Sequence, residues 1–80
     1  MSFSAKMTDD LVKIASAGGG FELNASGRKI EDLIRIAEAA HSGDCVVTMT
    51  GVGRMPTSDL VAIAKAGPGH VRFVGVSTDT

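Results

Sequence analysis

Every histidine and cysteine of the chain falls in two short stretches, His41-Ser42-Gly43-Asp44-Cys45 and Gly69-His70. Two imidazoles, a carboxylate and a thiol are donor types that hold zinc, at about 2.0–2.3 Å. If the strands that carry Cys45 and His70 are neighbours, Asp44 and His70 lie at one end of a sheet with His41 close by. The alternation of Cys45 with Val47 and Met49 assigns the thiol another use, as a small hydrophobe in the core. His41 sits where a cation suits the C-terminus of a helix. We therefore read neither a metal site nor a cofactor in these residues.

A second chemistry is anion binding. Gly-Arg recurs in Ser26-Gly27-Arg28-Lys29 and in Gly51-Val52-Gly53-Arg54-Met55. Backbone N–H groups at a helix N-terminus attract anions, and ligands of an open parallel sheet sit outside the carboxyl ends of its strands. Gly27, Arg28, Lys29, Gly53 and Arg54 are the residues that would hold a phosphate, a carboxylate or a nucleotide there. The simpler reading is that the glycines allow tight turns while the arginines are solvated or pair with Asp32 and Asp59. Gly51-x-Gly53 opens like a dinucleotide fingerprint, but Pro56 occupies its last glycine position and no Gly-Lys-Ser/Thr follows. Nucleophilic catalysis has no support either, because no serine–histidine–acid set has a recognisable spacing and Cys45 has no evident base beside it. An enzyme is the least favoured class.

The elements that position these residues are written three times. The octets beginning at Asp10, Asp32 and Asp59 run DLVKIASA, DLIRIAEA and DLVAIAKA. Asp, Leu, Ile, Ala and a final Ala recur in place, and the third residue is always Val or Ile. Such self-similarity marks stacked supersecondary units. Within each octet the apolar residues fall at i, i+3 and i+4, as in Leu11, Ile14 and Ala15, Leu33, Ile36 and Ala37, or Leu60, Ile63 and Ala64. That spacing predicts three helices with one buried stripe each. Val12, Ile34 and Val61 widen the stripe, while Lys13, Arg35, Glu38 and Lys65 face water. Thr8 and Thr57 are the expected caps of the first and third helices. The second helix is expected to start about a turn earlier relative to its octet, near residues 26–29, and to add Ile30 to its stripe. Glycines close each helix at 18–20, 43 and 67–69.

A strand is predicted after each helix, over 21–25, 45–50 and 70–76, with a short further strand at 3–5. Helices of about ten residues alternating with strands imply parallel βαβ units. The expected fold is α/β, with three αβ repeats at about 8–26, 27–52 and 53–77 of a single domain spanning 1–80. It has a parallel sheet of three or four strands and helices on one face, as in a solenoid. A small doubly wound sheet is the alternative. Val47-Thr48-Met49-Thr50-Gly51 followed by Leu60 and Ile63 resembles the strand, loop and helix of leucine-rich-repeat proteins. The resemblance covers 21–76 and implies the solenoid architecture. The asparagine that follows the strand in that family is matched only near Asn24, so no functional residue is implied.

The 80 residues are 44% apolar, with no Trp or Tyr, so the core must be aliphatic. Eight basic and nine acidic residues leave a net charge of −1, which speaks against a general nucleic-acid binder or a polybasic membrane anchor. A single cysteine requires no oxidising compartment, and the N-terminus lacks the apolar run of a signal peptide. A soluble cytoplasmic protein is expected, although a substrate of a specialised secretion route would have the same composition. With one helical face covering the sheet, the other face presents Val46, Thr48, Thr50, Arg72, Val74 and Val76, with Glu22 and Asn24 on the first strand. A valine-rich face of this kind needs cover, and uncapped strands invite pairing. The function expected from this surface is a non-enzymatic protein-interaction module or a small homo-oligomer, with anion or nucleotide binding at the Gly-Arg loops as the alternative. A contrary expectation is that Met1, Phe3 and Met7 fold over part of the face.

Overall fold

A computed structural model describes residues 8–53 and 55–74. Helix and strand alternate along them: α1 Thr8–Ser16, β1 Phe21–Asn24, α2 Ile30–Gly43, β2 Val47–Thr50, α3 Thr57–Ala66 and β3 Val71–Val74. The strands form one parallel sheet in chain order, β1-β2-β3. Phe21, Val47 and Val71 stand in one row, and Leu23, Met49 and Phe73 in another. α1 packs on α2 and α2 on α3. Helices and strands are therefore stacked in the same order, and the alternation predicts this α/β architecture correctly. The strand predicted at 3–5 and the end of the third strand, including Gly75 and Val76, lie outside the described residues.

The core lies between the helical layer and the sheet. Leu11, Leu33, Ile36 and Ile63 from the helices meet Leu23, Val47 and Met49 from the strands, all with no measurable exposure. The other sheet face is uncovered among the described residues: Glu22, Asn24, Val46, Arg72 and Val74 are exposed. Among the described residues this is the arrangement of a single helical layer, not of a doubly wound sheet.

The helix ends give two glycines a different purpose from the one expected. α1 closes as expected, with Gly18 at a φ of 93° and its N–H, like that of Gly19, returned to carbonyls of the last turn. In α2 the left-handed position is taken by Asp44, at a φ of 55°, and not by Gly43. Gly43 is required by proximity, since a Cβ there would run into the carbonyl oxygen of Ala15 in α1. Gly67 repeats the device, because its Cβ would run into the carbonyl of Ala37 in α2. Ala15 and Ala37 occupy the same place in the repeated octet. Each of these two helices thus brings its C-terminal glycine against the small residue of the helix before it.

Three further expectations are corrected. Thr57 does not cap α3; Pro56 takes the N-cap position and no side chain bonds the free N–H groups there. Ala64 is exposed, whereas its equivalents Ala15 and Ala37 are fully buried. Val61 is 44% exposed, whereas Val12 and Ile34 pack against the core. The last two have one cause: among the described residues no fourth helix follows α3.

Candidate interaction surface

Three places in this frame bring together residues singled out by the sequence. The first is the edge where the strands end. Parallel order puts Asn24, Thr50 and Val74 side by side, so the loops into α2 and α3 leave from one rim. At β1 the chain turns at once: Asn24 Oδ1 accepts from the Ser26 N–H at 2.9 Å, and the Arg28 N–H donates to the Ala25 carbonyl at 3.1 Å. Gly27 is exposed, with a φ of 84°. Arg28 is half-buried and reaches back to the first turn of α1, where its guanidinium donates to Thr8 Oγ1 at 3.5 Å. Lys29 is exposed and forms the N-cap of α2. Gly53 is exposed in the second loop, and Arg54 lies outside the described residues. The rim therefore gathers Gly27, Lys29 and Gly53 near the start of two helices, while Arg28 is turned toward a third.

At the opposite end of the strands sit the histidines and the cysteine. His70 Nδ1–H donates to the Cys45 carbonyl at 2.9 Å, which ties the entry of β3 to that of β2. The ring of His41 meets that of His70 edge-on at 5.1 Å, and Asp44 Oδ1 is 3.9 Å from His70 Nε2. Cys45 is buried, and its thiol donates to the Ala15 carbonyl at 3.3 Å. Burial, and secondarily the Asp44 carboxylate, push that thiol above its ordinary range. A protonated, buried thiol is a poor nucleophile. Among the described residues no group of three or more histidines, cysteines and acids is arranged to hold a metal ion. The cluster is accounted for by packing and by the bridge between two strands.

The third place is the outer face of the sheet. Its rows follow from the register. Glu22, Thr48 and Arg72 stand in line across the three strands, and Asn24, Thr50 and Val74 form the next line. Val46 precedes Thr48 on the same side of the central strand. Thr48 and Thr50 are half-buried, and Thr50 Oγ1 donates to the Leu23 carbonyl at 3.3 Å. Val46 is 44% exposed and Val74 is 42% exposed. Together with Val61 they are the large hydrophobic residues that stand exposed among the described residues. Val76 lies outside the described residues. Alternation alone puts Glu22 on this face, but its register with Arg72 becomes visible only once the strands are paired. No protein family, curated protein or solved structure matches this chain.

Proposed function

We propose that this chain is a non-enzymatic interaction module, a short solenoid resembling leucine-rich repeats, that binds a protein through the outer face of its sheet. The observation that carries the reading is that two large apolar side chains, Val46 at one end and Val74 at the other, stand exposed on a face that no described helix covers. Exposed apolar side chains interspersed with polar ones on an uncovered sheet face suit a binding surface, which is about as apolar as the rest of a protein's surface. A net charge of −1 supports a protein partner over a nucleic acid. No helix among the described residues is long and apolar enough to cross a membrane, and the buried free thiol suits a reducing compartment such as the cytoplasm.

The test is a comparison of bound proteins. The wild type and the variant carrying Val46→Lys and Val74→Lys serve as baits in the same extract. A protein retained by the wild type and lost to the variant is expected. Identical sets for both baits would remove the outer face from any role in binding. The strand-end rim supplies the competing reading. Amide shifts confined to 27–29 and 51–53 on titration with phosphate and nucleotides, together with identical bait sets, would replace the module with an anion binder.

A further inference from the structure

The outer face carries a charge pattern that fits only certain partners. Glu22 on β1 and Arg72 on β3 lie in one row, with Thr48 between them. Both are exposed, and neither has an ion-pair partner among the described residues. At strand spacings of about 4.8 Å they stand roughly 10 Å apart, one to each side of the central strand. A face with an acid on one flank and a base on the other is complementary to its own image rotated about the central strand.

We propose that the outer sheet face is occupied by a second copy of this chain, stacked face to face about a two-fold axis that runs along β2. The inference rests on the reading of this face as a binding surface and names its partner. Rotation about that axis lays β1 of one protomer over β3 of the other. Glu22 then faces Arg72 of the partner subunit, and Arg72 faces the partner's Glu22. Residues of β2 lie on the axis and meet their own copies, so Val46 packs on Val46 of the partner subunit and Thr48 on the partner's Thr48. The contact is isologous, as most dimer contacts are. A two-fold perpendicular to the strands, through the row of Glu22, Thr48 and Arg72, would set glutamate against glutamate and arginine against arginine. The charges thus select one of the two stackings. The selected one keeps the strands of the two sheets aligned, as stacked sheets with a spacing of about 10 Å prefer.

The described strands offer a face of about 14 by 13 Å. That is well below the roughly 800 Å² per partner of a tight complex, so the dimer is a weak one that forms at high concentration. Sedimentation equilibrium from about 10 µM to about 1 mM covers the range of such contacts. The wild type is expected to pass from monomer to dimer. Glu22→Arg alone puts two arginines together on each flank, and Arg72→Glu alone puts two glutamates together. Each should weaken dimerisation by about tenfold or more. An equimolar mixture of the two single variants sets a protomer with two basic flanks against one with two acidic flanks. Opposite charges then meet on both sides of the axis, so the mixture should dimerise about as well as the wild type. The double variant should recover by itself. Because both positions are exposed, far-ultraviolet dichroism should stay unchanged in all of them. A wild type that remains monomeric throughout, or a dimer indifferent to the single reversals, overturns the proposal. So do weakened single variants whose mixture does not recover. A monomeric wild type leaves the module reading to its own test with the two lysine substitutions, so the failures of the two are distinct.

Discussion

At the scale of single residues, the least replaceable side chains are those that are missing. Gly43 and Gly67 let successive helices touch backbone to backbone, against the carbonyls of Ala15 and Ala37. A methyl group at either position has no space unless the helices separate. Overpacking of this kind costs about 1–3 kcal/mol, and we expect Gly43→Ala and Gly67→Ala each to lose about that much in urea unfolding. Ala64 holds the same place in its octet as Ala15 and Ala37, but it is exposed. Ala64→Ser should change stability by no more than about 0.5 kcal/mol. A cost at Ala64 as large as that at Gly43 would contradict the close approach as the cause. Cys45 makes a second residue-scale prediction. Its thiol titrates higher in the folded chain than an ordinary thiol does, so the folded state holds the proton more tightly than the unfolded state. The stabilisation is fully present below the unfolded value of about 8.5 and is lost as pH rises through the folded value. Urea midpoints should therefore fall more between pH 7 and pH 10 for the wild type than for Cys45→Ala. Equal falls would show that the thiol contributes nothing to the pH dependence. In the native protein, alkylation of Cys45 should be slow at pH 8 and become fast in urea.

At the scale of elements, the three octets are nearly the same in sequence and unequal in environment. Leu33 has no measurable exposure, because α2 has a helix on each side and the central strand beneath it. Leu60, at the matching place in α3, is only half-buried. Leu33→Ala should cost about 2–5 kcal/mol, as truncation in a closed core does. Leu60→Ala should cost clearly less, since water already reaches part of that side chain. Equal losses would mean that α3 is covered as well as α2 is. This inequality also marks what could be read from the sequence. The i, i+3, i+4 stripe located all three helices, and alternation assigned the inward faces of the strands, because both are periodicities of local geometry. Leu60, Ile63 and Ala64 repeat the Leu33, Ile36 and Ala37 of α2, and Val61 is as apolar as Ile34 is, so nothing within the octet could tell that Val61 and Ala64 would face water. Asp44 in the left-handed position was hidden for a similar reason, as the nearby Gly43 is the usual sign of a helix end. The candidate surface was legible only in part. Alternation put Val46, Thr48, Arg72 and Val74 on one face, but the row from Glu22 to Arg72 depends on which residues pair across strands.

At the scale of the whole molecule, the described residues form a short stack in which the main packing of helix on helix and strand on strand joins neighbours. α1 meets α2 and α2 meets α3, and the sheet follows the same order. The stability of such a stack is close to a sum of unit stabilities and of the interfaces between units. The middle unit, α2 with β2, takes part in both interfaces, and each outer unit takes part in one. The third unit has a further handicap. Val71 and Phe73 point to the core side yet are only half-buried, where Val47 and Met49 beside them are fully buried. The chain should therefore open from the third unit before it opens as a whole. Native-state hydrogen exchange at low urea measures this directly, because it separates local opening from global unfolding. Amides of α2 and β2 should exchange with the free energy of global unfolding. Those of α3 and β3 should exchange through a smaller opening, with a weaker urea dependence, since less surface is exposed when one unit detaches. Gly67→Ala, placed at the junction of α2 and α3, should lower the opening energy of the third unit more than that of the first. Exchange that is uniform across the three units, with a single urea dependence, would show that the stack opens in one step and that its units are not separable.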